Sequence, residues 1–210
     1  MSPYLGLVLA YVAGSIPAAY IAGKATRGID LRQHGSGNLG ATNVYRVLGA
    51  KIAVAVLLFD AAKGAVPVLW FPRLLDSANA APGRATLWAI AFGVAAIVGH
   101  VRPVFLLWKG GGKGVATASG VFGALAPAAI GVTLVVWFAV LVISGYMSLA
   151  SLAGAAVLPV AIGILRGVRS PLFLLSIAVA AFVFWTHRSN IARLRRGEEP
   201  RFGRKPPPPS

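Results

Sequence analysis

The chain is 210 residues long, 57% of them hydrophobic and only 12% charged. Soluble globular domains have about a quarter of their residues charged, so this composition excludes an ordinary water-soluble protein and predicts an integral membrane protein. The formal net charge of +15 does not indicate nucleic-acid binding, since the sequence has no basic helix or aromatic platform outside its apolar segments. Anionic lipid headgroups or phosphate substrates are the expected partners of these cations. No cysteine is present, which excludes disulfide bonds and thiolate chemistry.

The first apolar segments can be placed from their length and from the charges between them. Residues 1–23 carry no charged side chain, and about 20 apolar residues suffice to cross a bilayer core of roughly 30 Å. Lys24 follows this segment and no basic residue precedes it, which is not typical of a signal peptide and places the N-terminus outside. Further spans are predicted at about residues 52–71 and 85–107.

The stretch 115–165 has no charged side chain and is predicted to hold three short helices, with breaks at Ala126-Pro127 and at residues 144–148. A last span is predicted at about 171–185. With three helices in the middle stretch, fourteen Lys and Arg residues lie inside against four outside, as the positive-inside rule expects. We therefore predict an all-α integral membrane protein with seven transmembrane helices, N-terminus outside and C-terminus cytoplasmic. Residues 1–202 are expected to form a single domain, and residues 203–210 a disordered, proline-rich basic tail.

A glycine-rich segment, residues 35–43, lies in the predicted cytoplasmic loop between the first two spans. Gly35 and Gly37 allow positive φ, which exposes successive backbone N–H groups in a pattern typical of an anion-binding nest. Neutral hydrogen-bonding side chains and one arginine accompany them: Ser36, Asn38, Thr42, Asn43 and Arg46. The residues alone leave open a flexible loop followed by a helix cap at Thr42 or Asn43.

A second glycine-rich segment contains Gly112, Lys113 and Gly114 and is predicted to open a helix. Backbone amides and the helix dipole at such a point favour a bound phosphate. The segment is not a Walker A loop, because that pattern requires Ser or Thr directly after the lysine, where this chain has Gly114. His100 is expected to order this loop through a hydrogen bond. Lysines that only anchor the topology are the alternative.

Three further polar groups lie in or beside the predicted spans. His187 could act as a base or bind phosphate, with Asn190 one turn on near the same helix face; a plain interfacial anchor is the alternative. Asp60 and Lys63 have the i,i+3 spacing of a neutralised pair within the membrane, and Lys63 could also face the site. Ser148 is either a ligand or a helix cap.

Together these groups predict a cytoplasmic pocket for a doubly anionic ligand, with cations, glycine-rich loops and almost no carboxylates. No metal and no cofactor are expected, since no cluster of Asp, Glu and His has the spacing of metal ligands. Two other classes stay open. An anion transporter would also use glycine-rich loops at broken helices, although near the bilayer midplane. A scaffold subunit would use its basic loops only to contact lipid headgroups.

In order and spacing, seven short motifs resemble the bacterial acyl-phosphate:glycerol-3-phosphate acyltransferases, the PlsY family. They are Gly14-Ser15-Ile16-Pro17, Gly35-Ser-Gly-Asn-Leu-Gly-Ala-Thr-Asn43, Asp60-Ala-Ala-Lys63-Gly64, Gly99-His100, Gly112-Lys-Gly-Val-Ala-Thr117, Ser148-Leu-Ala-Ser151 and His187-Arg188-Ser-Asn190. The resemblance covers nearly the whole chain up to the basic tail. The chain departs from the family pattern in one loop. The family has Lys-Gly-Gly-Lys-Gly there, and this chain has one additional glycine, Lys109-Gly-Gly-Gly-Lys113-Gly114.

The resemblance implies an enzyme of phospholipid biosynthesis in the bacterial plasma membrane. Its reaction would move an acyl chain from acyl phosphate to the sn-1 hydroxyl of glycerol 3-phosphate, giving lysophosphatidic acid and inorganic phosphate. A seven-helix fold with the active site at the cytoplasmic face is implied as well. The acyl tail is expected between helices, in contact with membrane lipid. A monomer is expected, because one chain carries all the motifs.

The resemblance also implies roles for individual residues. Catalytic roles fall to Ser36, Lys113 and His187. Substrate-binding roles fall to the glycines and polar residues of the motifs: Gly35, Gly37, Asn38, Thr42, Asn43, Arg46, Lys63, Gly112, Gly114, Ser148 and Asn190. Either His187 or a phosphate oxygen of the donor takes the proton of the attacking hydroxyl.

Overall fold

The computed structural model describes residues 1–76 and 78–203. Residues 204–210, most of the predicted tail, lie outside the described part. Within the described residues all regular structure is helical. The α-helices of this part are α1 (Pro3–Ser15), α2 (Ala18–Arg27), α3 (Ala41–Leu48), α4 (Ala50–Trp70), α5 (Pro82–Val101), α6 (Val115–Leu125), α7 (Pro127–Ser144), α8 (Met147–Arg166), α9 (Pro171–Thr186) and α10 (Arg188–Arg195). Short 3₁₀ turns occur at Leu31–Gln33, Phe71–Leu74 and Val104–Leu106.

Among the described residues, five helical stretches are long and apolar enough to cross a membrane. They are Pro3–Arg27, Ala50–Leu74, Gly83–Leu106, Pro127–Ser144 and Met147–Arg166. Helices α9 and α10, bent by 58° at their junction, would add a sixth. Helix α6 has only 11 residues, about 16 Å of rise, which is roughly half of a bilayer core. The chain is thus an all-α integral membrane protein, and seven complete spans stay a prediction.

The predicted breaks in the middle stretch coincide with helix ends. Helix α7 begins at Pro127, whose missing N–H suits the first turn of a helix. It ends before Gly145, which has a left-handed φ of +73°. The first predicted span, by contrast, is divided into α1 and α2 at Ile16-Pro17, because proline cannot donate the next helical hydrogen bond.

The chain divides into two compact units, Met1–Leu125 and Ala126–Ser210. In the first unit, α1 packs against α5 and α4 packs against α6. In the second unit, α8 packs against both α7 and α9. The prediction of a single domain over residues 1–202 is not decided by this division and stays a prediction.

Small residues bring the helices of the first unit close together. A Cβ atom on Gly14 would collide with the backbone of Ala96 in α5, and one on Gly120 with the backbone of Ala61 in α4. Close backbone approach through small residues is how helices associate in a membrane, where burial of apolar side chains gives little driving force. These contacts hold α1 against α5 and α4 against α6.

Candidate active site

The first glycine-rich loop leads from the 3₁₀ turn Leu31–Gln33 to the start of α3. Gly35 and Gly37 have φ values of +63° and +70°, in the left-handed region that favours glycine. The side chain of Asn43, which is 1% exposed, reaches back from the first turn of α3. Its Oδ1 accepts a hydrogen bond from the Ser36 N–H at 2.8 Å, and its Nδ2 donates to the His34 carbonyl at 3.0 Å. A buried amide therefore holds this loop in one shape.

The hydrogen bonds within the loop decide which of its groups face solvent. The N–H of Ser36 is taken by Asn43, and the N–H of Gly37 donates to the His34 carbonyl at 3.1 Å. The predicted nest therefore offers fewer backbone donors than its glycine spacing suggests. The residues Ser36 and Arg46 are exposed, whereas Asn38 and Thr42 are half-buried.

The second glycine-rich loop packs against the end of α5 and leads directly into α6. Its Gly112 N–H donates to the His100 carbonyl at 3.3 Å. A Cβ atom on Gly111 would collide with the carbonyl oxygens of His100 and Val101, and one on Gly112 with the imidazole of His100. The predicted ordering role of His100 thus involves both its backbone and its ring. The half-buried Lys113 precedes the first turn of α6, whose backbone N–H groups have no partner within the helix and form its electropositive end.

Beneath these loops, a buried ionic cluster joins three helices of the first unit. Lys63 Nζ lies 2.7 Å from Asp60 Oδ1 in the same helix α4, and His100 Nδ1 lies 3.5 Å from that oxygen. Lys63 Nζ also donates to the Ile16 carbonyl at 2.8 Å, an acceptor that the break between α1 and α2 leaves available. Lys63 is only 6% exposed, so its ammonium group is enclosed by protein partners.

In the second unit, polar residues gather where α9 bends into α10. His187 lies at this bend and is buried, and its Nδ1 is 2.8 Å from the Val183 carbonyl oxygen. A carbonyl can only accept a hydrogen bond, so Nδ1 carries the proton and Nε2 is the basic nitrogen of the neutral ring. The ring can therefore accept a hydrogen bond or a proton through Nε2.

The sequence gives no indication of the group that organises this cluster, which is Glu199. Its carboxylate is 6% exposed, accepts from Asn190 Nδ2 at 2.6 Å, and pairs with Arg193 Nε at 2.7 Å. Burial alone raises the pKa of Glu199, but its hydrogen-bond donors Asn190 and Arg193 contribute to a larger opposite effect, so the net pKa lies below its usual value. Glu199 therefore stays ionised near neutral pH and holds Asn190, one of the predicted substrate-binding residues.

The segment after α10 folds back to bring Glu199 to this position. The Phe202 N–H donates to the Gly145 carbonyl at 2.7 Å. The guanidinium of Arg201 lies over the ring of Tyr146, 5.4 Å from its centroid. This segment has no helical periodicity, and its two neighbouring acids, Glu198 and Glu199, look alike in the sequence. The sequence therefore does not show that one of them is buried.

The two units thus hold different parts of the predicted site. The first unit holds Gly35, Ser36, Gly37, Asn38, Thr42, Asn43, Arg46, Lys63, Gly112, Lys113 and Gly114. The second unit holds Ser148, His187 and Asn190. In the first unit, a glycine-rich loop that carries cations and opens a helix favours an anionic ligand, so the chain is placed in the class of membrane proteins that act on anions.

Comparison with known proteins narrows this class. The family model described as "Glycerol-3-phosphate acyltransferase" matches residues 4–197. A glycerol-3-phosphate acyltransferase of Anaeromyxobacter dehalogenans (strain 2CP-C) is 46% identical over 95% of this chain and 98% of its own length. One from Geobacter sulfurreducens is 43% identical over 92% of this chain and 94% of its own.

Solved structures agree with these relatives. The crystal structure of PlsY, an integral membrane glycerol 3-phosphate acyltransferase, in its glycerol 3-phosphate form has a TM-score of 0.85, with 35% identity over 96% of both chains. Its lysophosphatidic acid form has a TM-score of 0.81 and 34% identity. The chain belongs to the glycerol-3-phosphate acyltransferase family of the PlsY type.

Proposed function

We propose that this protein transfers an acyl chain from acyl phosphate to the sn-1 hydroxyl of glycerol 3-phosphate, releasing lysophosphatidic acid and inorganic phosphate. The observation that carries this proposal is the similarity over nearly the whole chain to PlsY, whose structures are described with glycerol 3-phosphate and with lysophosphatidic acid. The glycine-rich loops and cations of this chain support a substrate pair that carries two phosphate groups.

The chemistry of an acyl phosphate suits the residues present. Acyl phosphate is a mixed anhydride, so its carbonyl carbon is already activated and requires no covalent enzyme intermediate. The sn-1 oxygen forms a new C–O bond to this carbon, the bond from the carbon to the phosphate oxygen breaks, and the hydroxyl proton leaves to a base. The protein has to orient the two substrates and stabilise the oxyanion and the leaving phosphate. The absence of cysteine is compatible with a reaction that needs no thiol nucleophile.

In the first unit, the proposed ligands of the acyl phosphate and its oxyanion are Ser36, Asn38 and the amides of Gly112–Gly114. Arg46 and Lys113 are assigned to the phosphate of glycerol 3-phosphate. The left-handed backbone at Gly35 and Gly37 supports a shaping role for these glycines. Thr42, half-buried one turn before Arg46, is assigned to the same substrate-binding face.

Two residues of the first unit are proposed to act through structure. The buried amide of Asn43 is engaged by the loop that contains Ser36. The ammonium of Lys63 is engaged by Asp60 and by the Ile16 carbonyl. We therefore assign Asn43 and Lys63 to holding the substrate-binding segments in place, and direct contact with substrate to their exposed neighbours.

In the second unit, Ser148, His187 and Asn190 are proposed to bind the glycerol phosphate. The acceptor nitrogen Nε2 of His187 suits a hydrogen bond from a substrate hydroxyl. A phosphate oxygen of the donor is the proposed acceptor of the proton, because phosphate is already present at the reacting carbon. His187 then orients the hydroxyl.

The acyl tail is proposed to lie along an apolar groove of the first unit. A groove of about 360 Å³ opens beside the break between α1 and α2. Its lining is formed by Ile16, Pro17, Tyr20, Ile21, Phe105 and Leu106. These side chains come from the two segments that flank the glycine-rich loops in the sequence, which supports this groove as the seat of a chain attached to the donor phosphate.

We further propose a monomer in the bacterial plasma membrane, with seven spans, an outer N-terminus and a cytoplasmic active site. Among the described residues, five long apolar helical stretches, the bent pair α9 and α10, the short apolar helix α6 and the distribution of Lys and Arg support this topology. Because the chain has no cysteine, single cysteines can be introduced at Ser2 and at Phe202 and probed with an impermeant maleimide. Labelling of Ser2→Cys in intact cells and of Phe202→Cys only after lysis is the expected result; the reverse pattern would contradict the orientation.

The reaction itself is tested with purified protein in detergent, palmitoyl phosphate and glycerol 3-phosphate, by following phosphate release and lysophosphatidic acid formation together. Palmitoyl coenzyme A in place of palmitoyl phosphate tests the donor, and Ser36→Ala is the matched inactive control. Both products are expected in equal amounts and only with both substrates. Phosphate release that does not depend on glycerol 3-phosphate, or an absence of release, would refute the proposal.

A further inference from the structure

The segment between α2 and the first glycine-rich loop contains an arginine, Arg32, whose side chain reaches the second glycine-rich loop. We infer that Arg32 is a positioning residue that fixes the two glycine-rich loops relative to each other and thereby sets the alignment of the reacting groups. This inference rests on the proposed function, in which both loops contact the acyl phosphate.

One side of the Arg32 guanidinium is held by Asp30. Nε and Nη2 of Arg32 bind both carboxylate oxygens, with Nε at 3.1 and 3.0 Å and Nη2 at 2.6 Å. The hydrogen bonds from the Arg32 side chain lower the pKa of Asp30, so this carboxylate remains ionised near neutral pH. The ring of Tyr20 in α2 lies 5.3 Å from the guanidinium carbon. A two-point ion pair on an aromatic surface leaves the guanidinium little rotational freedom.

The remaining part of the Arg32 side chain contacts the second loop. Its Nη1 donates to the carbonyl of Lys109 at 3.3 Å, a residue 77 positions away in the sequence. Its aliphatic stem packs against Gly110, where a Cβ atom would lie 2.7 Å from Arg32 Cδ. Gly110 has a φ of +75°, so both its backbone conformation and its neighbour require glycine.

The backbone of Arg32 lies in the 3₁₀ turn that leads into the first loop. Its N–H donates to Asp30 Oδ1 at 3.0 Å and begins the 3₁₀ turn Leu31–Gln33. Its carbonyl oxygen lies against Gly37, 3.0 Å from where a Cβ atom would stand. A single residue therefore packs against the first loop with its backbone and against the second loop with its side chain.

Arg32 contacts the second loop in the segment Lys109–Gly114, which is one glycine longer than the family pattern. Additional glycine widens the range of conformations that a loop can adopt. By binding Lys109 and packing on Gly110, Arg32 fixes the first residues of this longer loop, so that Gly112–Gly114 and Ser36 keep a constant separation. Displacement of reacting groups by about 1 Å can lower a rate about 100-fold.

The test compares Arg32→Gln and Arg32→Lys with Arg27→Gln, which changes an exposed arginine at the end of α2. We expect the turnover rate of Arg32→Gln to fall about 10- to 100-fold, with KM values for both substrates within about threefold of wild type, since each loop keeps its own ligands. Arg32→Lys should resemble Arg32→Gln, because an ammonium group cannot bind Asp30 at two points and also reach Lys109. Arg27→Gln should match wild type.

A second readout needs no turnover. Because the chain lacks cysteine, spin labels at His34→Cys and Lys109→Cys report the separation of the two loops, and both side chains are exposed. The distance distribution should broaden when Arg32→Gln is added and stay unchanged with Arg27→Gln. An unchanged distribution, full activity of Arg32→Lys, or a lower Tm with wild-type kcat would overturn the inference. If the wild-type protein releases no phosphate, the proposed function fails, and the spin-label result still decides whether Arg32 joins the loops.

Discussion

The two units of this protein build their polar surfaces in different ways. In the first unit the glycine-rich loops present backbone groups, and the Asn43 side chain and the His100 carbonyl hold those loops in shape. In the second unit the polar groups are side chains on helices, and the carboxylate of Glu199 holds them. Backbone geometry should therefore limit activity in the first unit, and individual hydrogen bonds should limit it in the second.

The largest effect is expected from adding one methyl group to the first unit. In Gly111→Ala the new Cβ atom would collide with the carbonyl oxygens of His100 and Val101, which are backbone atoms and cannot rotate away. The loop has to move by about 1 Å, so kcat/KM should fall about 100-fold, measured by phosphate release.

The matched control is Gly123→Ala in α6, where a Cβ atom meets nothing within 4 Å. Alanine is also the better helix former, so activity and Tm should stay at or slightly above the wild-type level. Equal activity of Gly111→Ala and Gly123→Ala would contradict the view that backbone geometry limits activity in the first unit.

The second unit should respond to loss of one carboxylate. Glu199→Ala removes the acceptor of the hydrogen bonds from Asn190 Nδ2 and Arg193 Nε, and loss of a buried hydrogen-bond acceptor costs about 1–3 kcal/mol. We expect KM for glycerol 3-phosphate to rise about tenfold, which corresponds to about 1.4 kcal/mol. Glu199→Gln keeps one acceptor oxygen and should show a smaller increase.

Glu198→Ala is the control for the second unit. Glu198 is the neighbouring residue, is exposed, and pairs with the exposed Arg196, so its removal should leave KM unchanged because surface ion pairs contribute little. If Glu198→Ala and Glu199→Ala raised KM equally, the effect would come from net charge near the site and not from the buried hydrogen bonds.

Substitution of His187 in the second unit tests whether its side chain orients glycerol 3-phosphate or accepts a proton from it. In His187→Asn a proton acceptor is lost but a hydrogen-bonding group remains. If His187 orients the acceptor, KM for glycerol 3-phosphate should rise about five- to tenfold, the loss of one hydrogen bond, while kcat stays within about threefold of the wild-type value. If the turnover rate instead falls by about 100-fold or more, the usual cost of losing a general base, the proton would be assigned to His187.

Much of the fold follows from local physics that a sequence displays. Apolar length places the spans, and Pro127 and Gly145 mark helix ends because one lacks an N–H and the other adopts positive φ. Pro17 is also present in the sequence, but apolar length alone predicts residues 1–23 as one uninterrupted span. The fold-back of Arg201 and Phe202 onto the turn between α7 and α8 depends on contacts between distant residues, which no local pattern reports.

In the candidate site, too, local sequence patterns do not report contacts between distant residues. The motifs predict Asn43, Lys63 and Asn190 as members of the site, but spacing does not tell whether a polar group faces a ligand or a protein partner. Asn43 and Lys63 have their polar atoms engaged by the loop and by the ionic cluster. Glu199 and Arg32 lie outside the motifs, and their hydrogen bonds to residues on other segments are visible only in the structure.

The smallest expected effect is a pH dependence of stability that belongs to the second unit. The pKa of Glu199 in the folded protein lies below its usual value of 4.5, so its ionised form stabilises the fold. This contribution is fully present above about pH 4.5 and is lost as the pH falls through the lower, folded pKa. The Tm of the wild-type protein in detergent should therefore decrease over this acidic range by more than the Tm of Glu199→Gln, which cannot ionise. If the Tm of both proteins changed equally with pH, the ionised carboxylate would be no more stable in the folded protein than in the unfolded chain. The proposal that Glu199 holds the polar side chains of the second unit would then be contradicted.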